Sequence, residues 1–389
     1  MRRDGQKWIF DSFVGMAGLD AIFPDAYIAW SETGLYLKDY MLTMSRVRSG
    51  DMLSKSWHKT AERLEIMAQE ASAGGHRETA GELYYRAALC YARAFWPVSE
   101  ILGKQNAIAA YNKVKECYDF AAQTVDYVVE RIEAPFERAS IPGIFHRPRQ
   151  ATGRLPCVIY LPGMDGVKDI FPDLRNNPFI RRGLAVVTID GPGVGESLLR
   201  GLHVTLDNVQ RAVSAVIDYL ERRPEIDPDR IGILGMSMGS YWGPSSAAED
   251  RRVKCCVAAL GCLMDKTMMF EKAPPAYKAN YMTMANIEDE DAFDQMAKKM
   301  TLERYADRIE CPMLIMNGEF DQLCPIEDAR RLMSLLHCPR ELWIFENEFH
   351  PIGRWRSEVF AWAADWLRDV LNGRYDPTVN REVYIHERT

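Results

Sequence analysis

The chain is predicted to be an α/β protein in which a mostly parallel sheet of about eight strands, covered by helices on both faces, follows an N-terminal helical domain. Three observations lead there. Before about residue 125 the apolar residues recur at three and four; after it, short apolar runs alternate with amphipathic stretches; and the run Arg230 to Leu234 passes directly into Gly235-Met236-Ser237-Met238-Gly239. The first pattern marks helix faces, and apolar strands alternating with helices build a parallel sheet buried on both sides. The expected domains are 1–125, helical, and 126–389, containing the sheet.

Trp57, Ala61, Leu64, Met67 and Ala71 share one helix face, which Gly74-Gly75 ends. Ala80, Leu83, Tyr84, Ala87, Ala88, Tyr91 and Phe95 mark a second helix, stopped at Trp96-Pro97, and Ala107 to Ala121 a third. Residues 7–45 carry further helical material with many aromatics: Trp8, Phe10, Phe13, Tyr27, Trp30, Tyr36 and Tyr40. Strands are expected at 128–136, 139–145, 156–161, 184–190, 231–235, 253–260, 313–317 and 342–345. Helices are expected at 173–182, 204–223, 239–250, 326–337 and 354–371.

Composition narrows the function. With 389 residues, 47% hydrophobic and 26% charged, the chain has ample material for a packed core. A net charge of -7 without a concentrated basic surface argues against nucleic acid. The chain holds no apolar run long enough to span a membrane, and MRRDGQKWIFDSF lacks the apolar region of a secretory signal, so a cytoplasmic protein is expected. Nine scattered cysteines without C-x-x-C spacing suggest free core thiols, with no metal site and no cofactor expected.

G-x-S-x-G between a strand and a helix is a nucleophile elbow: the tight turn lifts the Ser237 hydroxyl above the sheet, and the helix N-terminus faces the oxygen under attack. Asp321 follows the strand ending at Asn317, within Gly318-Glu319-Phe320-Asp321, and His350 follows the last expected strand, within ENEFHPIG. In the order Ser237, Asp321, His350, the imidazole takes and returns the serine proton while the carboxylate holds its tautomer. The oxyanion hole needs two backbone N–H groups: Met238 offers one, and Met164, in LPGMDG, is the best candidate for the other. The glycine-rich DGPGVGES turn lacks the lysine and the spacing of phosphate-binding loops and is read as a strand-closing turn.

The elbow, the DGPGVGES turn, the GEFD loop and His350 resemble the α/β-hydrolase superfamily over about residues 130–372. With GELYYRAALCYARAFW in the helical part, nearly the whole chain is similar to the dihydroxypseudooxynicotine hydrolase family of bacterial nicotine breakdown, a group that includes fungal polyketide-shortening hydrolases of melanin synthesis. The resemblance implies an α/β-hydrolase fold, a helical cap domain over the active site, and hydrolysis of a carbon–carbon bond beside a ketone in an aryl-ketone or polyketide-like substrate through an acyl-enzyme. Ser237, Asp321 and His350 match its triad, and Met164 and Met238 its oxyanion positions. An ester or thioester hydrolase would use the same apparatus with an easier leaving group, and a hydrolase-like binding protein without turnover is a third alternative. The segment GCLMDKTMMFEKAPP departs from the better-known members. Substrate-contact candidates are Tyr84 and Tyr91 in the helical part, Asp165 beside the oxyanion loop, and Met264, Tyr277 and Tyr281 in the methionine-rich stretch. The aromatic load of the helical part suggests a homodimer.

Overall fold

The computed structural model describes residues 7–18, 28, 33–95, 103–273 and 275–387. Two compact units emerge, one of residues 2–129 with 169–177, the other of 130–168 and 178–389. The sequence boundary at 125/126 falls just ahead of the observed one, but segment 169–177 belongs to the helical unit. Among the described residues no helix is long and apolar enough to cross a membrane.

The helical unit contains α1 (Lys7–Ala17), α2 (Leu37–Met44), α3 (Asp51–Ala73), α4 (Arg77–Phe95) and α5 (Gly103–Ala122). Trp57, Ala61 and Leu64 of α3, Ala87, Ala88 and Tyr91 of α4, and Tyr111, Val114 and Tyr118 of α5 are buried, as the three-four spacing requires. Asp39 of α2 is fully buried and held by Arg86, itself buried, at 2.7 Å and by Arg63 at 3.0 Å. Of the early aromatics, Tyr40 is buried against Trp57, whereas Tyr36 is 48% exposed beneath the Arg86 guanidinium. Tyr27, Trp30 and the side chains of Trp8, Phe10 and Phe13 lie outside the described residues.

Segment 169–177 is fastened by three tyrosines. Tyr111 donates to Asp169 at 2.6 Å, Tyr127 donates to the Leu174 carbonyl at 2.7 Å, and the Leu174 N–H donates to Tyr85 at 3.0 Å. The helix expected at 173–182 does not form; only a short 3-10 turn, Ile180–Arg182, is present. Asp173 Oδ1 instead accepts the N–H groups of Arg175 and Asn176, and Pro172 and Pro178 flank the stretch, so local side-chain bonding and two prolines outcompete the helix.

Among the described residues the second unit is built on nine strands: β1 (Val128–Phe136), β2 (Ala139–Arg147), β3 (Leu155–Leu161), β4 (Ala185–Ile189), β5 (Ile226–Met236), β6 (Val253–Ala259), β7 (Met313–Gly318), β8 (Arg340–Phe345) and β9 (Asn380–Ile385). Their order is β1-β2-β4-β3-β5-β6-β7-β8-β9; β2 runs antiparallel to β4, and the pairs from β4 through β3 to β9 are parallel. The ninth strand was not expected. Its polar sequence NREVYI and exposed-to-half-buried pattern lack an apolar alternation, and it pairs with β8 through the ion pair of Arg381 with buried Glu341 at 2.7 Å.

Both faces of the sheet are covered. Gly232 faces Leu367 of the helix Arg356–Leu371, and the next residue, Ile233, faces Gly243 of the helix Gly239–Glu249, since successive strand residues point to opposite sides. Helices Asn208–Glu221 and Ile326–Leu335 complete the layers near their expected positions. All nine cysteines are free and buried.

Candidate active site

β5 ends at Met236 and the helix Gly239–Glu249 starts three residues on. Between them Ser237 has φ +53°, a left-handed conformation unusual for a serine, and the turn is closed by the Ser240 N–H donating to the Ser237 carbonyl at 2.7 Å. The flanking glycines are required by contact: a Cβ on Gly235 would run into the Gly239 carbonyl, and one on Gly239 into the Leu161 carbonyl.

The Ser237 Oγ lies 2.9 Å from His350 Nε2, and His350 Nδ1 lies 2.9 Å from Asp321 Oδ2. A carboxylate can only accept, so Nδ1 carries the proton and Nε2 is left to accept from the serine. Asp321 is buried and its Oδ1 accepts the N–H groups of Leu323 at 2.8 Å and Cys324 at 2.7 Å, which leaves Oδ2 directed at the ring. The His350 N–H donates to Gln322 Oε1 at 3.2 Å. The three residues that the sequence separates by up to 113 positions are thus brought into one hydrogen-bonded line at the C-terminal ends of β5, β7 and β8.

The β3 loop joins them. A Cβ on Gly163 would stand 3.2 Å from Ser237 Cβ and 3.1 Å from Asp165 Oδ1, so Gly163 packs against the serine, with Met164 and Asp165 the next two residues of that loop. Met238, fully buried, opens the helix after it.

The substrate-contact candidates divide. In the helical unit, Tyr84 stacks on Phe120 with centroids 4.7 Å apart, and Tyr91 is buried and donates to Glu65 at 2.6 Å; both belong to that unit's internal packing. Met264 and Tyr281 are buried in the core of the second unit, Tyr281 with its ring 5.1 Å from Phe270 and its hydroxyl paired with Trp242. Partly buried Tyr277 behaves differently: burial, followed by the nearby charges of Asp165 and Asp321, pushes its phenol up to about 12.

Three contributors were missed. Asn317, buried at the end of β7, accepts the Cys262 N–H at 2.9 Å and donates to the Cys324 carbonyl at 2.8 Å, tying the loops after β6 and β7 together. Its signal was a polar residue closing the apolar run MLIMN. Gly261 lies against Asp321, and Asn280 approaches the Met164 carbonyl at 3.4 Å; neither has a local sequence signature.

The structure also places Cys324 beside Asp321 and His350, with the three potential ligand atoms within 4.8 Å of one another, a grouping invisible in the sequence spacing. It does not suit a metal. Both Asp321 oxygens already accept hydrogen bonds, and burial and then the Asp321 charge push the Cys324 thiol well above its ordinary value, whereas metals bind the thiolate.

Strand order and the geometry at the strand ends define an α/β-hydrolase fold. The chain belongs to the Esterase FrsA-like family, which matches residues 7–372. The protein is a hydrolase. A 2,6-dihydropseudooxynicotine hydrolase of Paenarthrobacter nicotinovorans is 28% identical over 324 residues, covering 81% of this chain and 83% of that protein. A 20-hydroxy-prefusarin hydrolase of Gibberella moniliformis is 29% identical, covering 59% of this chain and 57% of that one, and a hydrolase of Pyricularia grisea is 31% identical, covering 58% and 53%. The matches to the fungal relatives thus span little more than half their length. Among solved structures, 2,6-dihydroxy-pseudo-oxynicotine hydrolase superposes with TM-score 0.79 at 24% identity, over 91% of this chain and 99% of that one. AbyA5 does so with TM-score 0.67 at 16% identity. Both likenesses speak for the fold.

Proposed function

We propose that the protein cleaves a carbon–carbon bond next to a ketone, in an aryl-ketone or polyketide-like small molecule, with Ser237 as nucleophile. The observation that carries this reading is the line Ser237 Oγ, His350, Asp321, with both links at 2.9 Å. His350 takes the serine proton as Oγ bonds to the carbonyl carbon, and Asp321 offsets the imidazolium charge. The N–H groups of Met238 and Met164 hold the oxyanion. Collapse breaks the carbon–carbon bond; the electron pair leaves on a carbon that is part of an enolate or an electron-rich phenol, and His350 returns the proton there. Water, activated by the same imidazole, then releases the acid from Ser237. Supporting the choice of bond is the similarity to the bacterial and fungal hydrolases named above.

Membership of a family named for an esterase favours a second reading, hydrolysis of an ester or thioester by the same residues. Incubation with aryl ketones, β-diketones and simple esters, with products read by mass spectrometry, separates the two. An acid plus a ketone from the β-diketones is expected. Acids from esters alone would replace the first reading by the second.

A further inference from the structure

The helix Pro275–Ala285 begins where the methionine-rich segment GCLMDKTMMFEKAPP ends, and one of its faces lies against the Met164 loop. Tyr277 and Asn280 are three residues apart and so share that face. Asn280 Nδ2 lies 3.4 Å from the Met164 carbonyl and 3.9 Å from Met284 Sδ, both at the outer limit of a hydrogen bond, so the amide gives up little by turning to a better acceptor. The Met164 loop abuts Ser237 through Gly163. Tyr277 lies within electrostatic reach of Asp165 and Asp321.

We propose that Tyr277 and Asn280 are specificity-determining donors that bind a second oxygen of the substrate, the one on the departing side of the scissile bond. This rests on the carbon–carbon reading above. In a 1,3-diketone, attack of Ser237 at one carbonyl sends the electron pair of the broken bond onto the departing carbon and, by delocalisation, onto the second carbonyl oxygen. The Tyr277 O–H and the Asn280 N–H stabilise that enolate oxygen while the carbon takes its proton from His350, and the products with water are one acid and one ketone. A tyrosine raised to about 12 keeps its proton at neutral pH, as a donor to an enolate must. A simple ester has no such oxygen, which makes the effect selective.

The test compares Tyr277→Phe and Asn280→Leu with the parent on 1-phenylbutane-1,3-dione and on 4-nitrophenyl acetate. Each variant is expected to lower kcat/KM on the diketone at least about tenfold more than on the ester, the size of one hydrogen bond to a developing charge. An unchanged circular dichroism spectrum reports an intact fold. Equal losses on both substrates, or no loss on the diketone, would overturn the assignment of the two donors while leaving carbon–carbon cleavage in place. A parent enzyme that hydrolyses the ester and leaves the diketone untouched would overturn the carbon–carbon reading and this inference with it.

Discussion

Asp321 Oδ2, the oxygen that meets the His350 ring, lies 2.8 Å from the place a Cβ on Gly261 would occupy. Gly261 has φ +107°, a backbone conformation closed to side-chain-bearing residues, and its other neighbours are Cys324 Cβ and Sγ, also at 2.8 Å. The loop after β6 is therefore a wall against which the acid is set. Gly261→Ala must displace the carboxylate, and a shift on the order of 1 Å is expected to lower kcat about a hundredfold. A variant with kcat within twofold of the parent would show that this wall does not set the acid's position.

If Ser237 is the nucleophile, Ser237→Ala should lower turnover on the order of a millionfold, with unchanged circular dichroism. Asp321→Asn should cost about ten-thousandfold, because an amide stabilises the wrong imidazole tautomer. Residual activity of Ser237→Ala within tenfold of the parent would remove the serine from the mechanism.

Dialysis against a chelator should leave activity unchanged, since Cys324 is a buried neutral thiol and Asp321 is already hydrogen-bonded through both oxygens. Activity that is lost on dialysis and returns with zinc would instead assign Asp321, Cys324 and His350 to a metal.

Stability should depend on pH through Glu341. Burial disfavours its charge, but donors from Trp366 at 2.9 Å, Arg381 at 2.7 Å and Trp343 at 3.1 Å outweigh this and hold the carboxyl below its ordinary 4.5. A pKa lower in the folded than in the unfolded chain gives stability that is present above 4.5 and is lost as the pH falls through the folded value. Glu341→Gln should therefore lower Tm by a few degrees at pH 7, roughly what 1–2 kcal/mol does in a domain of this size, with the gap closing in acid. A gap that stays constant from pH 7 down to about pH 3 would exclude the carboxylate as its source.

The helical unit exposes Met41, Leu42, Ile66, Met67 and Phe120, each between 39% and 57%. We expect these apolar side chains to be covered in a homodimer, giving twice the 44.4 kDa chain mass by light scattering at micromolar concentration. A monomer mass would rule this out.

Much of the site was legible because its signals are local. Gly235 and Gly239 are demanded by contacts within one turn or with the adjoining strand, Asp321 and His350 each follow an apolar strand directly, and a buried parallel strand such as PCVIYL announces itself by composition. What the tertiary structure alone decided depends on partners far apart in the chain. Segment 169–177 is claimed by Tyr85, Tyr111 and Tyr127 against its helical appearance, and polar β9 becomes a strand because β8 offers it an edge and Glu341 offers Arg381 a buried charge. Tyr84 and Tyr91 look like surface for a substrate until Phe120 and Glu65 are seen to occupy them, while Gly261, Asn280 and Asn317 acquire meaning only beside Asp321, Met164 and Cys262. Periodicity reports which face of an element is apolar; which neighbour that face or its polar residues will meet is set by chain closure over long separations, and no local pattern records it.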